Sequence, residues 1–336
     1  MNAKKSTKIP YSILELATVS EGNTPAHTFV KARELAQHVE KWGYNRFWLS
    51  EHHNMISVAS SATSILIGYI AEGTKSMRVG SGGIMLPNHS TLAVAEQFGT
   101  LESIYPGRID LGLGRAPGTD QLTAMALRGD RFNTANEFPQ NVIRLQSYFS
   151  EKNATAKVRA IPGEGLDIPI WILGSSTDSA QLAGILGLPY AFASHFAPAQ
   201  FQAALQIYKQ AFQPSESLQK PYVMACVNMI AADTQKEAER LVTSLYQMFL
   251  GIVTGDRKLL QPPVDDMNEM WTEYQKELTS QMLALTFIGD MNKIKNEIHQ
   301  FIKQTEIDEI MVISNIYDQQ AKLHSYQLFA EAMKSL

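Results

Sequence analysis

The sequence predicts an α/β fold, specifically a (β/α)8 or TIM barrel, and three observations lead to this prediction. Short apolar strands alternate with amphipathic helices along nearly the whole chain, the pattern of a parallel sheet joined by helical crossovers. The stretch 168–173 is apolar on both sides, as a strand covered on both faces requires. No linker or internal repeat divides the 336 residues, and barrels of this type reach that length as one domain. We therefore predict one barrel domain over residues 1–336.

Eight strands are predicted, and each is a short, largely apolar run. In chain order they cover residues 11–16, 46–50, 79–85, 108–113, 168–173, 190–193, 222–232 and 309–313. Eight parallel strands are the number that closes a barrel around an interior filled by side chains.

The helices between these strands are predicted from apolar residues at three- and four-residue spacing. The first begins at Thr24 and Pro25, with Thr24 as N-cap and Pro25 at the first helical position, and it ends at Gly43. The other helices cover about residues 61–72, 91–104, 136–149, a stretch ending near 186, 198–210, 235–249, 290–304 and 319–333.

Residues 250–285 interrupt this alternation after the seventh strand. They carry Gly251, Gly255 and the pair Pro262 and Pro263, with scattered Met, Trp and Tyr residues. A long irregular piece in a regular barrel is typical of a lid or a binding loop. We predict a lid insertion here, whose Met and aromatic side chains either line an apolar substrate site or pack within an exposed loop.

The composition excludes several classes of protein. With 45% hydrophobic and 18% charged residues the chain can bury a large core and is not disordered, and a net charge of −4 gives no basic surface for nucleic acid. Cys226 is the single cysteine, which excludes an intramolecular disulfide and a cysteine-rich metal site. Pro10 and Glu15 break the apolar run near the N-terminus, and no stretch reaches the roughly 18 apolar residues of a membrane span. We expect a cytoplasmic protein without nucleic-acid or membrane partners.

Two neighbouring strands carry glycines near their C-terminal ends. Gly82 and Gly83 lie within the strand 79–85, and the strand 108–113 runs into Gly114. Glycine inside a strand indicates a bulge or a close approach to the backbone. Because an α/β barrel binds its ligand at the C-terminal ends of its strands, the sequence predicts a binding ledge here.

A second loop has the composition of a phosphate site. Gly174, Ser175, Ser176 and Ser179 follow a buried strand and open a helix, whose free N–H groups and dipole favour an anion. The alternative is ordinary N-capping of that helix. Arg115 ends the neighbouring strand, where it either binds the same phosphate or forms a surface ion pair with an aspartate such as Asp110 or Asp120.

Two further side chains are candidates for catalysis. His52 follows the second strand and serves either as a general acid, base or hydrogen-bond donor or as a structural residue; His195 has the same two interpretations. His53 points to the opposite face of an extended chain, so no metal site is predicted. Glu15 ends the first strand among aliphatic residues and is either a functional carboxylate or a solvated residue at the rim.

Several long motifs resemble those of bacterial luciferase-like, flavin-dependent monooxygenases, in particular the single-chain members. The resemblance covers nearly the whole chain, through RFWLSEHHN, VGSGGIMLPNHS, PGRIDLGLGRAPGTD and WILGSSTDSAQLAGILGLPYAFASHF. PGRIDLGLGRAPGTD together with the GSS-containing segment is specific, whereas each alone is only suggestive.

This resemblance implies a barrel that binds reduced FMN at its C-terminal face. It implies a cis peptide between Gly82 and Gly83 beneath the flavin ring and an active-site histidine at His52. Many relatives carry Asp where Glu15 stands, which leaves the role of that carboxylate open. The reactive cysteine of the light-emitting members falls on Gly114 here. The implied phosphate site comprises Arg115, Gly174, Ser175, Ser176 and Ser179.

The resemblance also implies a reaction of reduced FMN and O2 with a small, apolar, aldehyde- or ketone-like substrate. The flavin carries the redox chemistry, while the protein orients the substrate and excludes water. No complete GxGxxG motif is present, so a separate flavin reductase is expected to supply FMNH2. Family members commonly form homodimers, and we expect one here.

Three alternatives use the same fold or the same ligand. A deazaflavin (F420)-dependent reductase would transfer hydride without oxygen at the same ledge. A phosphate-binding aldolase or isomerase would show a lysine or a carboxylate pair at the strand ends, which are poor in lysine here. A non-catalytic flavin-binding protein would bind oxidised FMN tightly and form no oxygen-dependent product.

Overall fold

A computed structural model describes residues 9–129 and 135–336, and its strands close into a parallel barrel. Each strand of the ring pairs with its two neighbours in the order β1, β2, β3, β4, β5, β6, β7 and β9, and β9 returns to β1. The strands are β1 (Tyr11–Glu15), β2 (Arg46–Leu49), β3 (Arg78–Met85), β4 (Ile109–Gly114), β5 (Ile170–Gly174), β6 (Tyr190–Phe192), β7 (Val223–Ala231), β8 (Thr286–Gly289) and β9 (Glu309–Ile313). The predicted barrel and its eight strands are confirmed.

One strand was not predicted. The four residues of β8 pair with the C-terminal half of β7, from Asn228 to Ala231, and the ring closes without them. The four residues of β8 include two apolar ones, Phe287 and Ile288, and lie directly between the irregular segment 250–285 and the predicted helix 290–304, which left too weak a signal for a separate strand.

Helices cover the outside of the barrel. They are α1 (Pro25–Trp42), α2 (Thr63–Glu72), α3 (Thr91–Ile104), α4 (Gln121–Arg128), α5 (Phe138–Phe149), α6 (Thr177–Ile185), α7 (Phe201–Ala211), α8 (Gln235–Leu241), α9 (Thr243–Thr254), α10 (Glu273–Met282), α11 (Met291–Thr305) and α12 (Gln319–Lys334). The ends of α1 are as predicted, because the Thr24 side chain accepts a hydrogen bond from the His27 amide and Gly43 adopts a left-handed φ of 89°. None of the helices in the described ranges is long and apolar enough to cross a membrane.

The insertion after β7 is more regular than the sequence indicated. Helix α9 continues to Thr254, and α10 begins with a capping box between Thr272 and Gln275, so that only residues 255–272 and 283–285 of the predicted insertion lack regular structure. Leu260 fastens this irregular part to the loop after β1, because its amide donates to the Val19 carbonyl at 2.9 Å. The unpredicted helix α4 has only Ala124 buried, so it lacked the apolar stripe that identifies a helix.

The core has two layers. Side chains between the strands and the helices form the larger one, and a smaller cluster fills the interior of the barrel. The buried members of the interior cluster are Leu14, Trp48, Trp171, Ala191, Met224, Cys226, Met311 and Ile313. Burial of this apolar surface on both sides of the strands accounts for their continuous apolar runs.

A compensated charge network lies inside the N-terminal end of the barrel. Arg46 contacts Asp110 and Glu309, each at 2.8 Å, and Arg78 contacts the other oxygen of Asp110 at 2.7 Å. Burial alone would lower the pKa of Arg46, but the two carboxylates outweigh it and raise the pKa above its usual value. The indole of Trp48 donates a further hydrogen bond to Asp110 at 3.0 Å.

Candidate functional site

The glycines of β3 allow very close packing inside the barrel. A methyl group on Gly82 would lie 2.8 Å from the Leu14 side chain, and one on Gly83 would lie 2.8 Å from the Gly112 carbonyl oxygen. The peptide bond between Gly82 and Gly83 is cis, at the position that the sequence resemblance implied. The neighbouring strands therefore already require glycine here, independently of any ligand.

The two predicted phosphate-binding segments are neighbours in the fold. Strands β4 and β5 pair in parallel, so Arg115 at the end of β4 lies close to the start of α6. A guanidinium nitrogen of Arg115 is 3.5 Å from the Asp178 carboxylate, and both side chains are more than half exposed. The expected partners Asp110 and Asp120 are not its contacts, since Asp110 belongs to the N-terminal network and Asp120 caps α4.

The residue at the N-cap position of α6 does not cap the helix with its own side chain. Ser176 occupies the capping position in an extended conformation, but its side chain accepts no hydrogen bond from the helix. Within the described residues, the hydroxyls of Ser175 and Ser176 have no hydrogen-bond partner. The Thr177 amide donates to the side-chain oxygen of Gln200 at 3.2 Å. The loop thus offers hydroxyls, and the alternative of ordinary side-chain capping does not describe it.

Gly174 and Ser179 hold the shape of this loop. A methyl group on Gly174 would come within 1.9 Å of the Ser179 hydroxyl oxygen, so glycine is required where β5 passes α6. The Ser179 hydroxyl donates to the Ser176 carbonyl at 2.8 Å and contacts the Tyr190 hydroxyl at 3.0 Å. Of the three predicted serines, Ser179 is therefore the one already used within the protein.

His52 is held over the loop that follows β4. Its Nδ1 is 3.3 Å from the Gly118 carbonyl oxygen, and since a carbonyl only accepts, Nδ1 carries the hydrogen and Nε2 is the acceptor of the neutral ring. Burial lowers the pKa of His52, which favours that neutral ring. Gly118 has a left-handed φ of 66°, and a side chain there would also lie 2.8 Å from the Glu51 carbonyl.

His195 follows β6 and lies near His52. Its Nδ1 is buried and has no hydrogen-bond partner among the residues described. Burial, with a smaller contribution from His52, lowers the pKa of His195 to about 3. The barrel mouth therefore contains two neutral histidines, one tethered and one with a free ring nitrogen.

Glu51 is a further residue of this site, and the sequence reasoning missed it. Its buried carboxylate accepts hydrogen bonds from His53 at 2.8 Å, from His89 at 2.9 Å and from the Met85 amide at 3.0 Å. Burial opposes ionisation, yet these three donors lower the pKa of Glu51 to about 2. Glu51 thereby joins the segments that follow β2 and β3. The only signal in the sequence was an acidic residue at a strand end before two histidines.

Glu15 lies apart from the other candidates. Like Ile13 two residues before it, Glu15 points away from the barrel interior, because side chains alternate along a strand. Its carboxylate contacts the Lys322 ammonium of α12 at 2.6 Å. A second hydrogen bond comes from the Ala17 amide at 2.8 Å. A cavity of about 30 Å³, with space for about one water molecule, adjoins this ion pair. Glu15 is thus neither solvated at the rim nor directed into the barrel mouth.

An open pocket of about 770 Å³ adjoins His52. Its walls come from the loop after β2, with Met55, Ile56 and Val58, and from the irregular segment after α9, with Asp256 and Arg257. Across the described ranges 9–129 and 135–336, no group of three or more His, Cys, Asp or Glu residues is arranged to hold a metal ion. The pocket therefore combines apolar side chains, one histidine and charged residues of the insertion.

Known proteins resemble this chain over almost its full length. A family model described as luciferase-like monooxygenase matches residues 10–309. A luciferase-like monooxygenase of Escherichia coli (strain K12) is 48% identical over 98% of this chain and 98% of its own. The structure of apo-MsnO8 has a TM-score of 0.87 at 33% identity, covering 97% of this chain and 98% of that chain.

A more distant structure shares the fold. It is the oxygenating constituent of 3,6-diketocamphane monooxygenase from Pseudomonas putida in complex with FMN, with a TM-score of 0.72 at 16% identity, and the match covers 97% of this chain and 98% of that chain.

Proposed function

Since the chain belongs to the luciferase-like monooxygenase family, and is thereby an oxidoreductase that incorporates oxygen from O2, we propose that it uses reduced FMN to oxidise a small, largely apolar organic molecule. One observation supports the place of the flavin. The Gly82–Gly83 bond, Arg115 and the start of α6 lie on three consecutive strands of the ring, at the end where barrels bind ligands.

The phosphate of FMN fits the loop between β5 and α6. Ser175 and Ser176 would donate their unpartnered hydroxyl hydrogens to it, and Arg115 would contribute positive charge. The exposed contact between Arg115 and Asp178 is weak enough to be given up for a dianion. Gln200 currently offers an oxygen to the Thr177 amide, a position that a phosphate oxygen could take instead. Gly174 and Ser179 would keep the loop in shape.

When bound, reduced FMN would supply the electrons that activate O2, and the residues of this chain would control the environment. The Gly82–Gly83 segment offers a surface without side chains to the flavin ring. His52, with Nδ1–H held by Gly118, presents Nε2 as a hydrogen-bond acceptor or general base towards the mouth. The apolar pocket wall and the anchored insertion would limit the access of water.

The wider features of the proposal follow from the same family. Reduced FMN would come from a separate flavin reductase, because the GxG at Gly112 lacks the third glycine of a dinucleotide fingerprint. We also propose that the protein acts as a cytoplasmic homodimer. Hydride transfer with F420 is the alternative, and it would occupy the same ledge without consuming oxygen.

An anaerobic titration tests the choice of cofactor. We expect reduced FMN to bind more tightly than oxidised FMN and more tightly than F420, and we expect Arg115→Gln to weaken binding about tenfold. Arg144→Gln on α5 is the matched control, since it removes the same charge from an exposed position. Absence of binding of both FMN forms would exclude the proposal, and tighter binding of F420 would favour the alternative.

The source of the electrons is tested separately. With FMN present, the pure protein should oxidise NADH no faster than free FMN does. Addition of an unrelated flavin reductase should then be sufficient for substrate-dependent oxygen uptake. Rapid NADH oxidation by the protein alone would contradict the need for a separate reductase.

A further inference from the structure

The pocket beside His52 contains a cation that the protein itself does not neutralise. Arg257 lines this pocket from the insertion, and no ion pair or hydrogen bond joins it to another residue in the described ranges. The preceding residue Asp256 is not its partner, because Asp256 pairs with Lys258 at 2.9 Å. A guanidinium is always charged at physiological pH, so this wall of the pocket carries one uncompensated positive charge.

The other titratable group of the pocket does not offset this charge. Burial lowers the pKa of His52, and Arg257 is among the charges that lower it further, which favours the neutral ring. Asp256 and Arg257 are the only other charged residues of the pocket wall. Because Asp256 is already paired with Lys258, Arg257 is the charge of the pocket lining that has no partner in the described ranges.

The lining segment after β2 offers apolar side chains, with Asn54 and Ser61 beside them. Met55, Ile56 and Val58 belong to the loop after β2, and Ile56 is 66% exposed. An exposed isoleucine next to an unpaired guanidinium gives the pocket two recognition elements, one for hydrocarbon and one for an anion. A largely apolar molecule with one terminal carboxylate satisfies both.

The position of Arg257 separates it from the proposed FMN phosphate site. The insertion is fastened to the loop after β1 through Leu260, and the apolar wall follows β2. Arg115 and the start of α6 follow β4 and β5, and β3 lies between the two pairs of strands in the ring. A phosphate at the second site would therefore leave Arg257 free for a different molecule.

We propose that the oxidised substrate is a carboxylate-bearing amphiphile, whose carboxylate is bound by Arg257 and whose hydrocarbon part packs on Met55, Ile56 and Val58. This rests on the proposed function in one respect, namely that the pocket beside His52 receives the substrate. A planar guanidinium donates two parallel hydrogen bonds to a carboxylate, which fixes the direction of the chain and thereby the atom presented at the mouth.

Binding of simple probes to the full-length protein tests this without flavin or turnover. Isothermal titration calorimetry would compare hexanoate with hexanamide, which has nearly the same shape without the charge, and with acetate, which has the charge without the chain. We expect hexanoate to bind about tenfold more tightly than hexanamide, and more tightly than acetate. Raising the salt concentration should weaken the binding of hexanoate and acetate but not that of hexanamide.

Variants identify the residue responsible. Arg257→Gln should remove the preference for hexanoate over hexanamide, Arg257→Lys should keep part of it, and Arg144→Gln should leave it intact. Ile56→Ala should weaken both six-carbon probes, whereas the equally exposed Ile65→Ala on α2 should weaken neither. Equal binding of hexanoate and hexanamide, unchanged hexanoate binding by Arg257→Gln, or absence of hexanoate binding would each overturn the proposal.

Measurements of FMN binding distinguish the proposed FMN cofactor from the proposed role of Arg257 in substrate binding. Arg257→Gln should bind reduced FMN as the wild-type protein does, because the phosphate site lies elsewhere. Loss of FMN binding in the wild-type protein would remove the proposed cofactor and leave the probe result standing. Loss of FMN affinity in Arg257→Gln alone would instead assign Arg257 to the cofactor and overturn its assignment to the substrate.

Discussion

The two ends of the barrel treat their polar groups in opposite ways. At the N-terminal end, Arg46 and Arg78 are matched by Asp110 and Glu309 at distances near 2.8 Å. At the C-terminal end, the hydroxyls of Ser175 and Ser176, Nδ1 of His195 and the guanidinium of Arg257 have no partner among the described residues. Partnered groups stabilise the fold, whereas unpartnered ones are available to a ligand. We therefore expect the ligand-binding residues to be among the unpartnered groups, while partnered groups such as Glu51 hold the loops at the same end in place.

The largest effect is expected from a substitution that breaks the N-terminal charge network. Asp110→Asn leaves Arg46 and Arg78 without the carboxylate that they share, so we expect a loss of about 3–5 kcal/mol in the free energy of unfolding. Urea denaturation measures it. As the control, Asp265→Asn removes an exposed ion pair with Arg240 and should change stability little. A small effect of Asp110→Asn would show that the network does not stabilise the barrel.

The second test uses pH to examine Glu51, a buried and fully partnered carboxylate at the C-terminal end. Its pKa is about 2 in the folded protein against 4.5 ordinarily, so the unfolded chain binds more protons between these values. Glu51 therefore stabilises the protein above about pH 4.5, and this contribution is lost as the pH falls towards 2. We expect it to be about 3 kcal/mol.

Urea denaturation at pH 6 and pH 3 measures the contribution of Glu51. Glu51→Gln should be less stable than the wild-type protein at pH 6, and the gap should narrow at pH 3. Glu297→Gln, at a partly exposed carboxylate on α11, is the control. A gap that is the same at both pH values would contradict the role of the Glu51 charge.

The third test compares a partnered serine with an unpartnered one. The Ser12 hydroxyl donates to Glu309 in the N-terminal network, so Ser12→Ala should cost about 1–3 kcal/mol of stability. Ser176→Ala should leave stability unchanged and weaken the binding of reduced FMN about threefold to tenfold. Thermal unfolding and anaerobic titration measure the two effects. The comparison fails if Ser176→Ala destabilises the fold as much as Ser12→Ala does.

The smallest expected effect on stability is at His195. His195→Phe removes a ring nitrogen that makes no hydrogen bond, so the free energy of unfolding should change by less than about 0.5 kcal/mol. Tyr44→Phe, which removes a buried hydroxyl bonded to the Tyr326 carbonyl at 2.8 Å, should cost about 1 kcal/mol. Equal losses in the two variants would show that Nδ1 of His195 has a structural partner after all.

Most of the fold could be predicted from the sequence, because its signals are local. The eight barrel strands and the caps of α1 follow from runs of apolar residues and from Thr24, Pro25 and Gly43. The sequence missed β8, which has two apolar residues between the insertion and a predicted helix, and α4, which buries one side chain, because neither leaves a clear apolar pattern. The segments that carry the candidate site were also found, and the assignment of Arg115, the serines and His52 to FMN stays a prediction.

Two carboxylates mark the boundary between what the sequence determined and what only the tertiary structure decided. Glu15 and Glu51 both stand at the ends of consecutive strands, and the sequence pointed to Glu15 alone, as either a functional carboxylate or a solvated residue. In the structure Glu15 faces outward to Lys322, 307 positions away in the chain, while Glu51 organises His53, His89 and the end of β3. The periods of strands and helices depend on residues that are close together in the chain, so they can be recognised from the sequence. The partner of a charge is set by which distant element packs against it, and only the closed barrel determines that.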